Sequence, residues 1–153
     1  MKKHAKTITI LMADDDAEDR LMTKEAFAEC RLRNDLRFVG DGKELMDYLL
    51  RRGRYSDPAT SPCPGLILLD LNMPKKDGRE ALQEIKANAD LRSIPIVVLT
   101  TSKAEEDIVS SYALGVNSFI AKPVGFTDLV GAVKAFSTYW LEIVELPIEQ
   151  KAR

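Results

Sequence analysis

Four acidic residues stand where a parallel sheet would deliver them to one edge. Asp14, Asp15 and Asp16 follow an apolar run ending at Ala13. Asp70 follows Leu66-Ile67-Leu68-Leu69, the most hydrophobic short run in the chain. A run of that length, entered from Pro64-Gly65, predicts a fully buried strand, and open α/β sheets take their ligands beyond the carboxyl ends of their strands. Carboxylates within about 4–6 Å of one another repel and call for a cation. Mg²⁺ suits the task, because it is held by one or two carboxylates together with water and phosphate. A solvated turn and helix cap accounts for one such aspartate. Three at one strand end and a fourth at another point to a magnesium and phosphoryl site.

Two further features complement the acids. A strand-like run ends in Thr100-Thr101, whose hydroxyls can donate to a phosphoryl oxygen. Another ends in Lys122-Pro123, whose ammonium can pair with Asp70 at rest and with phosphate afterwards. A residue before proline is restricted to extended backbone, which aims Lys122 instead of letting it join a helix. Pro123 is also a candidate for a cis peptide bond.

The elements that must position these groups alternate along the chain. Strand-like runs recur at Thr7–Ala13, Leu36–Val39, Leu66–Leu69, Ile94–Leu99 and Ser118–Ala121. Between them lie helical spacings: Leu21, Met22, Ala26 and Cys30; Leu45, Met46 and Leu49; Ala81, Leu82 and Ile85; Ile108, Val109 and Tyr112. Leu129, Val133, Phe136 and Trp140 form the last apolar face. Asp77 caps the third helix, Ser102 with Glu105 forms a capping box for the fourth, and Gly115 stops it. Strands alternating with helices imply right-handed crossovers and a parallel sheet covered on both faces. The polar, proline-rich segment Arg51–Pro64 reads as a surface excursion or a partner contact.

Bulk properties narrow the class. The 153 residues fit one domain with one packed core, and 22 basic against 24 acidic residues leave a net charge of -2. No global charge draws the chain to nucleic acid or anionic lipid. Cys30 and Cys63 match neither a metal motif nor a disulfide framework, which fits reduced thiols in a cytoplasmic protein. No run reaches the roughly 20 apolar residues of a membrane span, and the basic start lacks a signal-peptide core.

The set Asp14-Asp15, Asp70 within Leu-Asp-Leu-Asn-Met-Pro, Thr100 and Lys122-Pro123 resembles the receiver domain of two-component response regulators. The steps of 30 and 22 residues from Asp70 to Thr100 to Lys122 fit that family, and the match runs over about residues 7–141. The resemblance implies a flavodoxin-like (βα)5 three-layer sandwich with a parallel five-stranded sheet in the order 2-1-3-4-5. It expects a receiver unit over residues 7–147, with 1–6 and 148–153 as flexible termini. Asp70 would be the phosphoacceptor. Asp15 and Asp70 would ligate Mg²⁺ (Mn²⁺ being the alternative), with Asp14 acting through water and Asn72 through its backbone carbonyl. Thr100 would be the switch hydroxyl and Lys122 the phosphate contact. Phe119 stands at the aromatic switch position and lacks the frequent tyrosine's hydroxyl. Asp16 adds unusual negative charge and is a local modulator candidate.

Leu99-Thr100-Thr101-Ser102, Pro74-Lys75-Lys76-Asp77-Gly78-Arg79 and Tyr139-Trp140-Leu141 resemble more closely the stand-alone regulators paired with bacterial and cyanobacterial phytochromes. That resemblance implies a sensor histidine kinase, a bacteriophytochrome, as phosphodonor. The only histidine, His4, precedes the first strand and is a poor donor. Slow self-phosphorylation and autodephosphorylation are the only turnover expected, so the chain reads as a signalling protein and not an enzyme. No output domain fits after residue 141, so the signal is expected to leave by protein contact. Phe136, Trp140 and Leu141 are candidates for a homodimer surface built on helix four, strand five, helix five and the C-terminal extension.

Rival classes fit less well. A haloacid-dehalogenase-type phosphohydrolase would need a Thr or Val where Glu18 stands, a silent receiver would not need the intact pocket, and a flavodoxin needs a phosphate-cradling loop after strand one.

Overall fold

A computed structural model describes residues 8–101 and 105–139, with the side chains of 105 and 106 excepted. The elements run β1 (Thr9–Ala13), α1 (Ala17–Glu29), β2 (Asp35–Val39), α2 (Gly42–Leu49), β3 (Leu66–Leu69), α3 (Gly78–Ala87), β4 (Ile96–Thr100), α4 (Glu105–Ala113), β5 (Ser118–Ala121) and α5 (Phe126–Phe136). All strand pairs are parallel and the order is β2-β1-β3-β4-β5, as expected for a doubly wound receiver-type sheet. Among the described residues no helix is long and apolar enough to cross a membrane.

The strand pleat sorts the core into two layers. Leu11, Ala13, Ile67, Leu69, Ile96 and Val98 face α2 and α3, where Leu45, Met46, Leu49, Ala81, Leu82 and Ile85 meet them. Ile10, Met12, Leu66, Leu68 and Val97 face α1 and α5, where Ala26, Phe27, Leu129, Val133 and Phe136 close the other layer. β3 is buried at every position, as its unbroken apolar run requires.

Local signals set several ends. Asp77 caps α3 by accepting from the Arg79 and Glu80 amides. Gly115, at φ 93°, supplies the left-handed residue just beyond α4. The capping box at Ser102 lies outside the described residues, as do the two termini.

Two expectations need correction. In α1 the buried face is Thr23, Ala26 and Phe27, while Leu21 is 56 % exposed. Thr23 enters the core without cost because its hydroxyl donates to Asp19 O at 2.8 Å. In α4 the apolar residues Val109 and Tyr112 face outward, and Ser111 is the buried one. The segment Arg51–Pro64 is a surface excursion, exposed at residues 52–54 and 56–60, and it is anchored at its tyrosines. Tyr55 is buried, packs at a tilt on Tyr48 with ring centroids 4.9 Å apart and donates to Glu44, while Tyr48 donates to Pro62 O at 2.7 Å.

Candidate functional site

Strand register builds the site. Ala13 pairs with Leu69, so the next residues, Asp14 and Asp70, leave the sheet side by side. Their amides are held in ladder fashion, Asp14 N–H to Val39 O and Asp70 N–H to Ala13 O, each at 3.0 Å. Thr100 pairs with Ala121, and the Lys122 amide returns to Thr100 O at 2.8 Å. Residues from four strand ends thereby share one small volume.

Asp70 is buried and both of its carboxylate oxygens are engaged. Oδ1 accepts from the Thr100 hydroxyl at 2.7 Å and from the Asn72 amide at 3.0 Å. Oδ2 accepts from Lys122 Nζ at 2.9 Å. The same ammonium lies 2.6 Å from Asp14 Oδ2 and 2.7 Å from Asp19 Oδ2. Burial works against the Lys122 charge, but the hydrogen bonds to these carboxylates outweigh it and hold the ammonium well above the usual lysine range. Asp14 responds oppositely: burial raises its carboxyl pKa, even though Lys122 and the Asp16 amide oppose the shift.

Carboxylate oxygens of Asp14, Asp15 and Asp70 lie within 4.8 Å of one another, two of the residues buried and Asp15 exposed. Asp14 Oδ2 is buried and makes no hydrogen bond; the lysine reaches it as an ion pair outside hydrogen-bond angles. An all-oxygen acidic set that already holds a cation, the Lys122 ammonium, on a buried carboxylate oxygen without hydrogen bonds fits a hard divalent cation.

The surrounding loops are held tightly. A Cβ added at Gly78 would stand 2.2 Å from Asp70 O and 2.6 Å from Leu71 Cα, and the Gly78 amide donates to Leu71 O at 3.0 Å. The start of α3 therefore lies directly against the backbone of Asp70, an approach only glycine permits.

The other sequence-chosen residues fall as follows. Asp16 is exposed and caps α1, accepting from the Glu18 and Asp19 amides, which assigns its charge to the helix terminus. Asn72 is exposed, and its side-chain amide approaches the Thr100 and Thr101 hydroxyls at 3.5 and 3.4 Å. Phe119 is half-buried against the α2/α3 layer, and its amide donates to the Tyr112 hydroxyl at 3.2 Å. The peptide bonds of the described residues are all trans, Lys122–Pro123 included. Lys122 reaches its carboxylates with the ordinary isomer, so the cis candidate is withdrawn. Phe136 is 8 % exposed and lies 6.3 Å from Phe27, ring to ring, so it belongs to the core and not to a partner surface. Trp140 and Leu141 lie outside the described residues.

Two contributors were not found from sequence. Asp19 looks like an ordinary acid in the first turn of a helix, which the helix dipole favours anyway. Arg79 is the second: its guanidinium forks onto Asp107 of α4 and touches the loop that follows Asp70.

Residues 10–134 match the family model described as the response regulator receiver domain. Response regulator Rcp1 of Synechocystis is 44 % identical over 138 residues, covering 90 % of this chain and 92 % of that one. Among solved structures, the response regulator RPA3017 in red light signaling of R. palustris superposes with a TM-score of 0.86 at 35 % identity, covering 92 % of this chain and 98 % of that one. The phosphorylated cyanobacterial phytochrome response regulator RcpA gives 0.85 at 42 %, covering 94 % and 100 %, and the Mn²⁺-bound form of Rcp1 gives 0.84 at 43 %, covering 92 % and 99 %. The chain belongs to the response regulator receiver domain family, and it is homologous to several phytochrome-associated members. Membership places it among phosphosignalling proteins, a family whose behaviour is slow self-phosphorylation and dephosphorylation, and the acidic cluster is its candidate phosphoacceptor site.

Proposed function

We propose that this protein accepts a phosphoryl group on Asp70 from a phosphohistidine of a sensor histidine kinase of the bacteriophytochrome type, in the cytoplasm. The observation that carries this reading is the convergence of Asp14, Asp15 and Asp70 within 4.8 Å, with Lys122 2.9 Å from Asp70 and Thr100 2.7 Å from it. The likeness to regulators of red-light and phytochrome signalling supports the donor class.

A carboxylate oxygen of Asp70 attacks phosphorus in line, the P–N bond breaks, and its electron pair returns to the donor imidazole. Lys122 moves from the Asp70 carboxylate to a phosphoryl oxygen, so its positive charge is kept while its partner changes. The Thr100 hydroxyl, already donating to Asp70, follows the phosphoryl oxygens, and Phe119 repacks beside it. Asp14, Asp15, Asp70 and the Asn72 carbonyl would hold Mg²⁺ or Mn²⁺, which when bound offsets the negative charge of the incoming group. Asp16, as the cap of α1, sets the negative potential at the pocket rim.

The test is intact-protein mass after incubation with Mg²⁺ and a small phosphodonor, alongside Asp70→Asn. A labile gain of about 80 Da, absent in the variant, is expected. A gain that persists in Asp70→Asn would overturn the assignment.

The outlet for the signal is the face of α4, β5 and α5, as a homodimer that the C-terminal extension completes. Val109 at 62 %, Tyr112 at 50 % and Phe126 at 38 % exposure support it. Sedimentation at about 100 μM tests it: a mass that stays monomeric with and without phosphodonor would end the dimer proposal.

A further inference from the structure

α4 is held in an unusual way. Among its described residues no large apolar side chain is fully buried, since Val109 and Tyr112 point outward and Ile108 is half-buried, so limited hydrophobic burial fixes it to the sheet. Polar contacts attach it instead. Arg79 Nε donates to Asp107 Oδ1 at 2.7 Å and Arg79 Nη2 to Asp107 Oδ2 at 2.6 Å, a two-bond fork. The Asp107 side chain is only 13 % exposed, which places this pair apart from the loose surface ion pairs that contribute almost nothing. At the other end of α4, the Tyr112 hydroxyl accepts from the Phe119 amide on the edge strand.

The guanidinium also reaches back to the site. Nη1 donates to Leu71 O at 3.3 Å, the carbonyl next to Asp70, and Nη2 approaches Asn72 Oδ1 at 3.5 Å. Asn72 in turn donates its amide to Asp70 Oδ1 and approaches the Thr100 hydroxyl. Arg79 itself is anchored on α3, whose first turn is pressed against the Asp70 backbone.

We propose that Arg79 is a positioning residue that pins α4 to the loop after Asp70, so that α4 mobility reports the state of that loop. The pin joins α3 and α4 through the Arg79–Asp107 fork. It joins them at the loop whose Asn72 amide donates to Asp70 Oδ1 and whose Asn72 side chain approaches the Thr100 hydroxyl. The coupling to phosphorylation rests on the function proposed above; the pin itself does not.

Hydrogen–deuterium exchange of the full chain tests both parts, using Arg79→Gln, Asp107→Asn and the double variant. Without any phosphoryl group, each single variant is expected to speed exchange of α4 amides about fivefold or more while β1 and β3 stay protected. The double variant should exchange no faster than the faster single one, because one shared interaction is lost. Unchanged α4 exchange, or effects that add, would overturn the pin whatever Asp70 does. Adding beryllofluoride with Mg²⁺ is then expected to change α4 exchange in the unsubstituted protein and to do so at most weakly in Arg79→Gln. An equal change in both would overturn the coupling. Mass analysis of Arg79→Gln after phosphodonor treatment reads the chemistry at Asp70 separately, so failure of that chemistry is distinguished from failure of the pin.

Discussion

Lys122 Nζ lies as close to Asp19 on α1, at 2.7 Å, as to its two strand-end carboxylates, Asp14 at 2.6 Å and Asp70 at 2.9 Å. One cation thus offsets three acids, two of them buried. Lys122→Met leaves the buried pair uncompensated and is expected to cost about 3 kcal/mol at neutral pH. The pH dependence follows from the sign of the carboxyl shift. Asp14 already has its pKa raised by burial, and losing the lysine raises it further. A carboxyl with a raised folded-state pKa favours the fold below its unfolded value and loses that contribution as pH rises through the folded value. The deficit of Lys122→Met should therefore shrink as pH falls towards the acid range, and shrink also on adding Mg²⁺ at neutral pH. Urea unfolding at several pH values checks both; a deficit constant with pH would contradict the arrangement.

Tyr55 gives an alkaline counterpart. Burial, then its bond to Glu44, pushes its phenol up to about 12. The folded state holds that proton more tightly than the unfolded state, so the stabilisation is complete below about pH 10 and is lost as pH rises to about 12. Burial also raises the Tyr48 phenol, so ultraviolet titration should show late phenolates from both, one of which is missing in Tyr55→Phe. If the variant removes an ordinary phenolate instead, the loop anchor is weaker than its geometry indicates.

Gly78→Ala forces a Cβ into the backbone of Asp70 and Leu71. It should destabilise by about 2–4 kcal/mol and depress phosphoryl uptake, since the acceptor loop must move. Gly131→Ala is the matched control: nothing lies within 4 Å of its Cβ position in the middle of α5. There the same change should add about 0.5–1 kcal/mol through helix propensity. Chemical denaturation of both variants reads the contrast directly.

Phe136 and Val109 separate core from surface. Phe136→Ala should cost about 3–5 kcal/mol and leave any self-association per folded molecule unchanged, because the ring packs on Phe27. Val109→Asp should change stability by less than about 0.5 kcal/mol and weaken self-association. Denaturation and sedimentation on the same samples decide it.

Much of this was legible in the sequence because the sheet is buried. Continuous apolar runs located all five strands to within two residues, and their alternation with helical spacing implied a parallel sheet covered on both faces, while the strand order followed from the resemblance to receiver domains. The convergence of Asp14, Asp15, Asp70, Thr100 and Lys122 followed from their places at strand ends. Helix faces were harder to read. In α1 a threonine that satisfies its own hydroxyl takes the core position while Leu21 is exposed, and in α4 Val109 and Tyr112 lie outside. Hydropathy cannot distinguish a stripe for the core from a stripe for a partner, which is why Phe136 was assigned to the wrong side. Asp19 and Arg79 act across 103 and 28 residues of sequence, distances at which no periodic signal exists.

The contact between Gly78 and the Asp70 carbonyl has a mechanical meaning as well. A helix seated on the acceptor's own backbone cannot yield separately from it, so α3 behaves as the fulcrum of the domain. Displacement begun at Asp70 finds its compliance next door, in α4, which is tethered by polar links to α3 and to the sheet's edge strand. The step from a seated helix to a tethered one gives any response a direction before a partner arrives.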